Sequence, residues 1–174
     1  MFDKKILLLY GLPSSGKSTV AKSLTEYIRI TVDEIITSMV PNPDITDFQR
    51  LGNEIVTQIS ERLKNSNNSR IVIEMGCLIP QLAIKKFEQF MDDQTYHFTN
   101  ILLTADDAEL ERRIIKRNKE IESGKSDSLK IDGPDFLTRF KVIFNNNKPT
   151  SFIQIDTTQL PAEDVLDKVR AICN

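Results

Sequence analysis

The stretch Gly11-Leu12-Pro13-Ser14-Ser15-Gly16-Lys17-Ser18 constrains this chain more than any other, because it fits the spacing G-x-x-x-x-G-K-[ST]. Glycines at either end let the backbone turn so that successive amide hydrogens point inward, and a helix beginning near Lys17 adds the positive end of its dipole. Such a loop cradles phosphate oxygens. Lys17 then reaches the β and γ phosphates, and the Ser18 hydroxyl ligates magnesium. Both flanks agree: Ile6-Leu7-Leu8-Leu9-Tyr10 reads as a buried strand, and Val20, Leu24, Tyr27 and Ile28 recur at helical spacing from about Lys17 onward. The apolar opening is short and lacks an A-x-A-like cleavage site, so it reads as a strand rather than a signal peptide.

Beyond the loop, short apolar runs alternate with longer segments of helical period, the pattern of a parallel α/β sheet. Strands are expected at Lys4 to Tyr10, Arg29 to Val32, Arg70 to Glu74, Phe98 to Leu103 and Phe152 to Ile155. Phe48, Leu51, Ile55, Ile59 and Leu63 mark one helical stripe; Ala83, Phe87, Phe90 and Met91 mark another. Leu110 and Ile114 fall on a further helix, Phe136 and Phe140 on the next, and Pro161 opens the last. Pro41 and Pro43 break the chain after Ile36, and the polar segment 123–133 interrupts the periodicity as a loop.

At 174 residues the chain suits one domain, 1–174, large enough to bury a core. With 23 Lys and Arg against 25 Asp and Glu it has no global positive field, which disfavours a long nucleic acid as partner. No run approaches the roughly 18 apolar residues that span a bilayer, so no membrane segment is expected. Cys77, Cys173 and the lone His97 suggest neither a disulfide framework nor a zinc site, and a reducing cytoplasm suits them best.

With its loop, strands and helices, nearly the whole chain resembles the P-loop nucleoside-triphosphate fold, and within it the small metabolite kinases. That group includes gluconate-type kinases, chloramphenicol phosphotransferase, adenylylsulfate kinase, zeta-type toxin kinases and the kinase domain of polynucleotide kinase. The resemblance implies a three-layer α/β/α fold with a five-stranded parallel sheet of order 2-3-1-4-5, and ATP with Mg²⁺ as cofactors. It implies nucleotide contacts from Gly11, Leu12, Pro13, Ser14, Ser15, Gly16, Lys17, Ser18 and Thr19. In these families an aspartate just after the second strand takes or orients the acceptor hydroxyl's proton; Asp33 in I-T-V-D-E-I-I stands there. A helix after the fourth strand carries arginines in a pattern like L-x-x-R-x-x-x-R that touch ATP or the transferring phosphoryl, and Leu110, Arg113 and Arg117 fit it. The segment 123–133 follows where a lid lies.

Each candidate has a bland alternative. Asp33 opening a helix is also a good N-cap. Arg113 and Arg117 share a helix face and can both address phosphates, yet Glu109 lies four residues before Arg113 and offers an ion pair instead. Asp106 and Glu109 match a capping box. Glu74 ends the third strand at the loop's edge of the sheet, which suits an acceptor-binding or metal-linked group. Arg50 falls on the acceptor side in related kinases, where a surface arginine is an equal reading. Arg139, Lys125 and Lys130 are weaker candidates of the same kind.

Departures narrow the reading. Adenylate-kinase-like enzymes carry a further glycine in the loop, G-x-x-G-x-G-K, where this chain has Ser14, which weakens a nucleoside monophosphate as acceptor. There is no D-x-x-G, and Asn118-Lys119-Glu120-Ile121 lacks the aspartate of N-K-x-D, arguing against a GTPase. The chain is short for an AAA-type motor. Residues 106–148 hold ten Lys or Arg against nine Asp or Glu, no track for a nucleic-acid strand. The leading expectation is a Mg-ATP-dependent kinase acting on a hydroxyl of a small molecule. The alternatives are a nucleotide or polynucleotide 5′-hydroxyl kinase and, in another class, an ATP-gated binding protein that transfers nothing.

Overall fold

Five apolar runs pair side by side as parallel strands, and amphipathic segments cover both faces of the resulting sheet. The computed structural model describes residues 4–39, 48–77, 79, 81–125, 131, 136–147 and 151–173. In chain order the elements are β1 (Lys5–Gly11), α1 (Lys17–Ser23), β2 (Ile28–Thr31), α2 (Val32–Ser38), α3 (Phe48–Asn65), β3 (Arg70–Gly76), α4 (Gln81–Asp93), β4 (His97–Thr104), α5 (Asp107–Glu122), α6 (Phe136–Asn147), β5 (Ile153–Asp156) and α7 (Ala162–Cys173). The strand order is β2-β3-β1-β4-β5, as expected.

The central strands are apolar on both sides because both sides are covered. Ile6, Leu8, Tyr10, Ile71, Ile73 and Met75 face α2, α3, α4 and α6 through Ile35, Ile55, Ile59, Phe87 and Phe144. Leu7, Leu9, Val72, Ile101 and Leu103 face α1 and α7 through Val20, Ala21, Leu24, Val165 and Val169. Tyr10 stacks on Phe144 with ring centroids 5.8 Å apart and meets Phe152 edge-on at 5.9 Å. The three layers bring the carboxyl ends of β1, β2 and β3 together: Leu9 lies opposite Glu74, Thr31 opposite Glu74, and Gly11 opposite Gly76.

The first helix is shorter than its apolar spacing suggests. It ends at Ser23; Leu24 leaves the helix at φ −87°, ψ 67°, and Tyr27 N–H donates to the Leu24 carbonyl at 2.9 Å in a turn. Ile28, expected on the helix stripe, is the first residue of β2 and lies beside Ile71 of β3. The ladder of β2 on β3 outweighs continuation of the helix, so Tyr27 and Ile28 share a helical spacing without sharing a helix. The break expected at Pro41 and Pro43 lies outside the described residues, as does most of the segment 123–133.

Candidate active site

The turn from β1 into α1 is built on two glycines with different duties. At Gly11 a Cβ would stand 2.3 Å from the Leu103 carbonyl oxygen of β4 and 2.7 Å from Ser15 Oγ, so only glycine fits. Gly16, at φ 102°, meets nothing within 4 Å, and there the backbone conformation itself demands glycine. Ser14 adopts φ 63°, the left-handed region, at the position where the adenylate-kinase pattern has its extra glycine. Gly16 is the N-cap of α1 and no side chain caps it, which leaves the first-turn amides available to an anion. Leu12 and Ser15 are buried, Pro13 is half-buried and Thr19 is exposed. Lys17 Nζ donates to the carbonyls of Gly11 at 3.0 Å and Leu12 at 2.8 Å.

Next to the loop, Ser18 Oγ donates to Glu74 Oε2 at 2.6 Å, and Arg29 Nε donates to Glu74 Oε1. Giving its proton to Glu74 leaves the Ser18 oxygen with lone pairs for a cation. Among the described residues no group of three or more His, Cys, Asp or Glu side chains is arranged to hold a metal ion. One hydroxyl with a carboxylate behind it nevertheless fits Mg²⁺, which keeps several waters and takes its remaining ligands from phosphates. Ser18 would hold the ion and Glu74 would orient Ser18 and bond the ion's waters.

Lys17 is the point where the other charges meet. Burial lowers the pKa of its ammonium; Cys77, Glu74 and Asp33 act in the opposite direction, and Arg117 adds to the lowering. Burial also pushes the Cys77 thiol up to about 12, so at neutral pH it is uncharged and the opposing charge comes from the two carboxylates. Asp33, an exposed residue in the first turn of α2, is not that helix's cap. Thr31 takes this part, its Oγ1 accepting from Glu34 N–H at 3.1 Å. Asp33 of α2, Glu74 of β3 and Arg117 of α5 thus all lie within electrostatic reach of Lys17, and Ser18 is bonded to Glu74.

Arg113 faces the same loop from behind. Its Nε donates to Glu109 at 2.6 Å, its Nη1 to Thr157 Oγ1 at 3.0 Å and the Ser14 carbonyl at 3.4 Å, and its Nη2 to the Thr157 carbonyl at 2.7 Å. The Glu109 ion pair, the bland alternative for Arg113, is thus formed, and it coexists with a reach to the Ser14 carbonyl of the loop. Hydrogen bonds from Arg112 first, and from Arg113, hold the Glu109 carboxyl down at about 2. Asp106 caps α5 by accepting from Glu109 N–H at 2.8 Å; the reciprocal half of the capping box is replaced by Thr158, whose Oγ1 accepts from Asp106 N–H at 2.9 Å. Asn118 holds Ile131 at both ends of one residue: Nδ2 donates to its carbonyl at 2.7 Å, and Oδ1 accepts from its N–H at 3.1 Å. Arg50 stands exposed near the start of α3.

Two residues of the site escaped the sequence reading. Arg29 belongs to a short edge strand, where a charged residue usually means solvent; the register sets it opposite Val72, and its side chain reaches along β3 to Glu74. Thr157 is 2% exposed and sits 142 residues from its partner Ser15, in a T-T pair that looks like any loop.

The same architecture recurs in solved structures. APS kinase CysC of Mycobacterium tuberculosis, solved with AMPPNP and APS, superposes with a TM-score of 0.67 at 15% identity, covering 98% of this chain and 97% of that one. A gluconokinase from Sinorhizobium meliloti gives 0.63 at 19% identity over 98% and 91%, and thymidylate kinase from Candida albicans 0.56 at 15% over 98% and 91%. These identities show a shared fold, that of the small P-loop kinases. No curated protein matches the chain in sequence. The family described as AAA domain matches residues 6–130, a span that runs from β1 through α5 and includes the phosphate loop, Asp33, Glu74 and both arginines. On that match the chain belongs to the AAA-domain family of P-loop proteins.

Proposed function

We propose that this protein is a Mg²⁺- and ATP-dependent phosphotransferase that moves the γ-phosphate of ATP to a hydroxyl of a small molecule. The observation that carries the reading is the position of Asp33: released from capping by Thr31, its carboxylate faces the field of Lys17 with no hydrogen-bond duty given to it among the described residues.

In this reading the loop amides and Lys17 bind the phosphate chain, Lys17 exchanging the Gly11 and Leu12 carbonyls for phosphate oxygens. Ser18, with Glu74 behind it, would hold magnesium, which when bound would neutralise charge on the phosphate chain. Asp33 accepts a hydrogen bond from the acceptor hydroxyl and takes its proton as the oxygen attacks phosphorus in line. The new P–O bond forms as the bond from the γ phosphorus to the β–γ bridging oxygen breaks, and ADP leaves with that electron pair. Arg117 offsets charge on the equatorial oxygens, and Arg113 supports the loop. Arg50 and Glu74 belong to the acceptor side, and closure of 123–133 keeps out water, which competes as acceptor. Free thiols at Cys77 and Cys173 fit a reducing, cytoplasmic setting.

The test is transfer from γ-labelled ATP with Mg²⁺ into a panel of sugars, nucleosides, nucleotides, antibiotics and a 5′-hydroxyl oligonucleotide, run beside Asp33→Asn. The expected result is a labelled small-molecule product whose formation falls by about 100-fold or more in Asp33→Asn while ATP affinity holds. Tight ATP binding with no acceptor-dependent turnover in either protein would move the assignment to a nucleotide-gated binding protein.

A further inference from the structure

A loop that points its amide hydrogens at a phosphate must point its carbonyls the other way, and buried carbonyls need donors. Lys17 serves the Gly11 and Leu12 carbonyls, whereas for Ser14 and Ser15 the donors come from one place, Arg113 and Thr157. Ser14 O accepts from Arg113 Nη1 at 3.4 Å, and Ser15 O lies 3.2 Å from Thr157 Oγ1. Thr157 itself is fully engaged: its N–H donates to Thr104 O at 2.8 Å, its carbonyl accepts from Arg113 Nη2 at 2.7 Å, and its hydroxyl accepts from Arg113 Nη1 at 3.0 Å. The hydroxyl's single proton serves either Ser15 O or Thr104 O, the latter at 2.9 Å. Four of the five guanidinium N–H groups of Arg113 are thereby committed to protein oxygens, counting the one on Glu109.

We infer that Thr157 is a positioning residue for the phosphate loop, and that Arg113 acts on nucleotide chiefly through Thr157 and the Ser14 carbonyl. The pair holds the peptide planes on either side of Ser15, the first of which is the one that leaves Ser14. That matters here because Ser14 holds φ 63° without being glycine, a conformation that persists only where its surroundings enforce it. Ser15 also borders the Gly11 turn through its side chain, its Oγ lying 2.7 Å from where a Gly11 Cβ would stand. The bracket therefore ties the loop to the end of β4 and to the β5–α7 connection, and the loop is formed before any phosphate arrives.

The test compares Thr157→Val, which keeps the shape and removes the hydroxyl, with Thr157→Ser, which keeps the hydroxyl. Thr104 O retains the Thr157 N–H in both, so Thr157→Val strips the hydroxyl's bonds to Ser15 O or Thr104 O and one Arg113 contact and leaves the backbone tie in place. Calorimetric titration with Mg-ATP at a temperature where all variants are folded should give about tenfold weaker binding for Thr157→Val and near-native affinity for Thr157→Ser. The affinity arm rests on the proposed function. Amide hydrogen exchange across 14–18 in the ligand-free proteins does not, and should be faster in Thr157→Val and near native in Thr157→Ser. Wild-type protein that binds no nucleotide would overturn the kinase reading and leave the exchange arm to decide this one. Native exchange in Thr157→Val, or affinity within twofold of wild type, would overturn the inference. Should Thr157→Val not fold, ligand-free exchange in Arg113→Lys decides: a residue that only touched nucleotide would leave the loop amides unchanged.

Discussion

Glu74 has 7% of its side chain in solvent, and two donors hold it: Ser18 at one oxygen and Arg29 at the other. A buried carboxylate is tolerable because it is paired, so removing the cation costs more than the pair ever gained. Arg29→Met is expected to destabilise the protein by about 1–3 kcal/mol, below the 3–5 typical of a wholly buried pair because Arg29 is 32% exposed and partly screened. Combining it with Glu74→Gln should recover much of that loss, and urea denaturation of the two single variants and the double variant reads the coupling directly. Additive losses would mean that the two side chains do not depend on each other. At this scale legibility followed locality. The phosphate loop is eight consecutive residues and is read at sight; Asp33, Arg113 and Arg117 came from resemblance. Arg29 and Thr157 act through partners 45 and 142 positions away, a distance that no local pattern records.

Elements were the easier scale, because buried strands and amphipathic helices write different periods into the chain. The stripe Leu51, Ile55, Ile59, Leu63 became α3 with all four residues buried, and R-I-V-I-E became β3. The end of α1 was misread because a turn preserved the i, i+4 spacing of Leu24 and Ile28. The packing of α4 on β4 carries a cost that the periods do not show. Glu88 Oε1 accepts from Asn100 Nδ2 at 3.1 Å, while Asn100 Oδ1 is buried with no hydrogen-bond partner among the described residues. Burial first, then Asp92 one turn on, raises the Glu88 pKa. A carboxyl whose folded pKa lies above its unfolded value favours the fold when protonated, so its ionisation lowers stability as pH rises from the unfolded value through the folded one. Glu88→Gln should therefore stabilise by no more than about 0.5 kcal/mol at pH 7 to 8, because solvent, Lys85 and the Asn100 hydrogen bond already offset part of the charge, and its new amide can also donate to Asn100 Oδ1. The part of this gain due to charge vanishes below the unfolded pKa. Thermal melts of both proteins from pH 3.5 to 8 check the convergence, and a gap that widened toward acid would refute it. Glu109 runs the other way: its lowered pKa gives stability above the unfolded value that is lost as pH falls toward 2.

Across the whole molecule, the order β2-β3-β1-β4-β5 makes β1 the seam between two halves, β2 and β3 on one side and β4 and β5 on the other. Alternating periods implied a parallel sheet, but the order itself came only from resemblance, since a strand's neighbours are not encoded in its own residues. The seam ends at Gly11, which is both the last residue of β1 and the first of the phosphate loop, pressed against the Leu103 carbonyl of β4. That contact fixes how closely the loop follows the sheet, and it cannot relax by a side-chain rotation because the obstacle is backbone. Gly11→Ala is expected to cost about 2–4 kcal/mol, from overlap with Leu103 O and displacement of Ser15. In a chain of this size that lowers the melting temperature by roughly 5–15 °C. Gly16→Ala supplies the contrast. Its Cβ meets open space, so only the φ of 102° opposes it, and about 1–2 kcal/mol is expected, with nucleotide affinity lost more than stability. Chemical denaturation and Mg-ATP titration of the two variants separate a fault at the seam from a fault confined to the loop. Equal stability in both would show that the β1–β4 seam yields where its geometry says it is rigid.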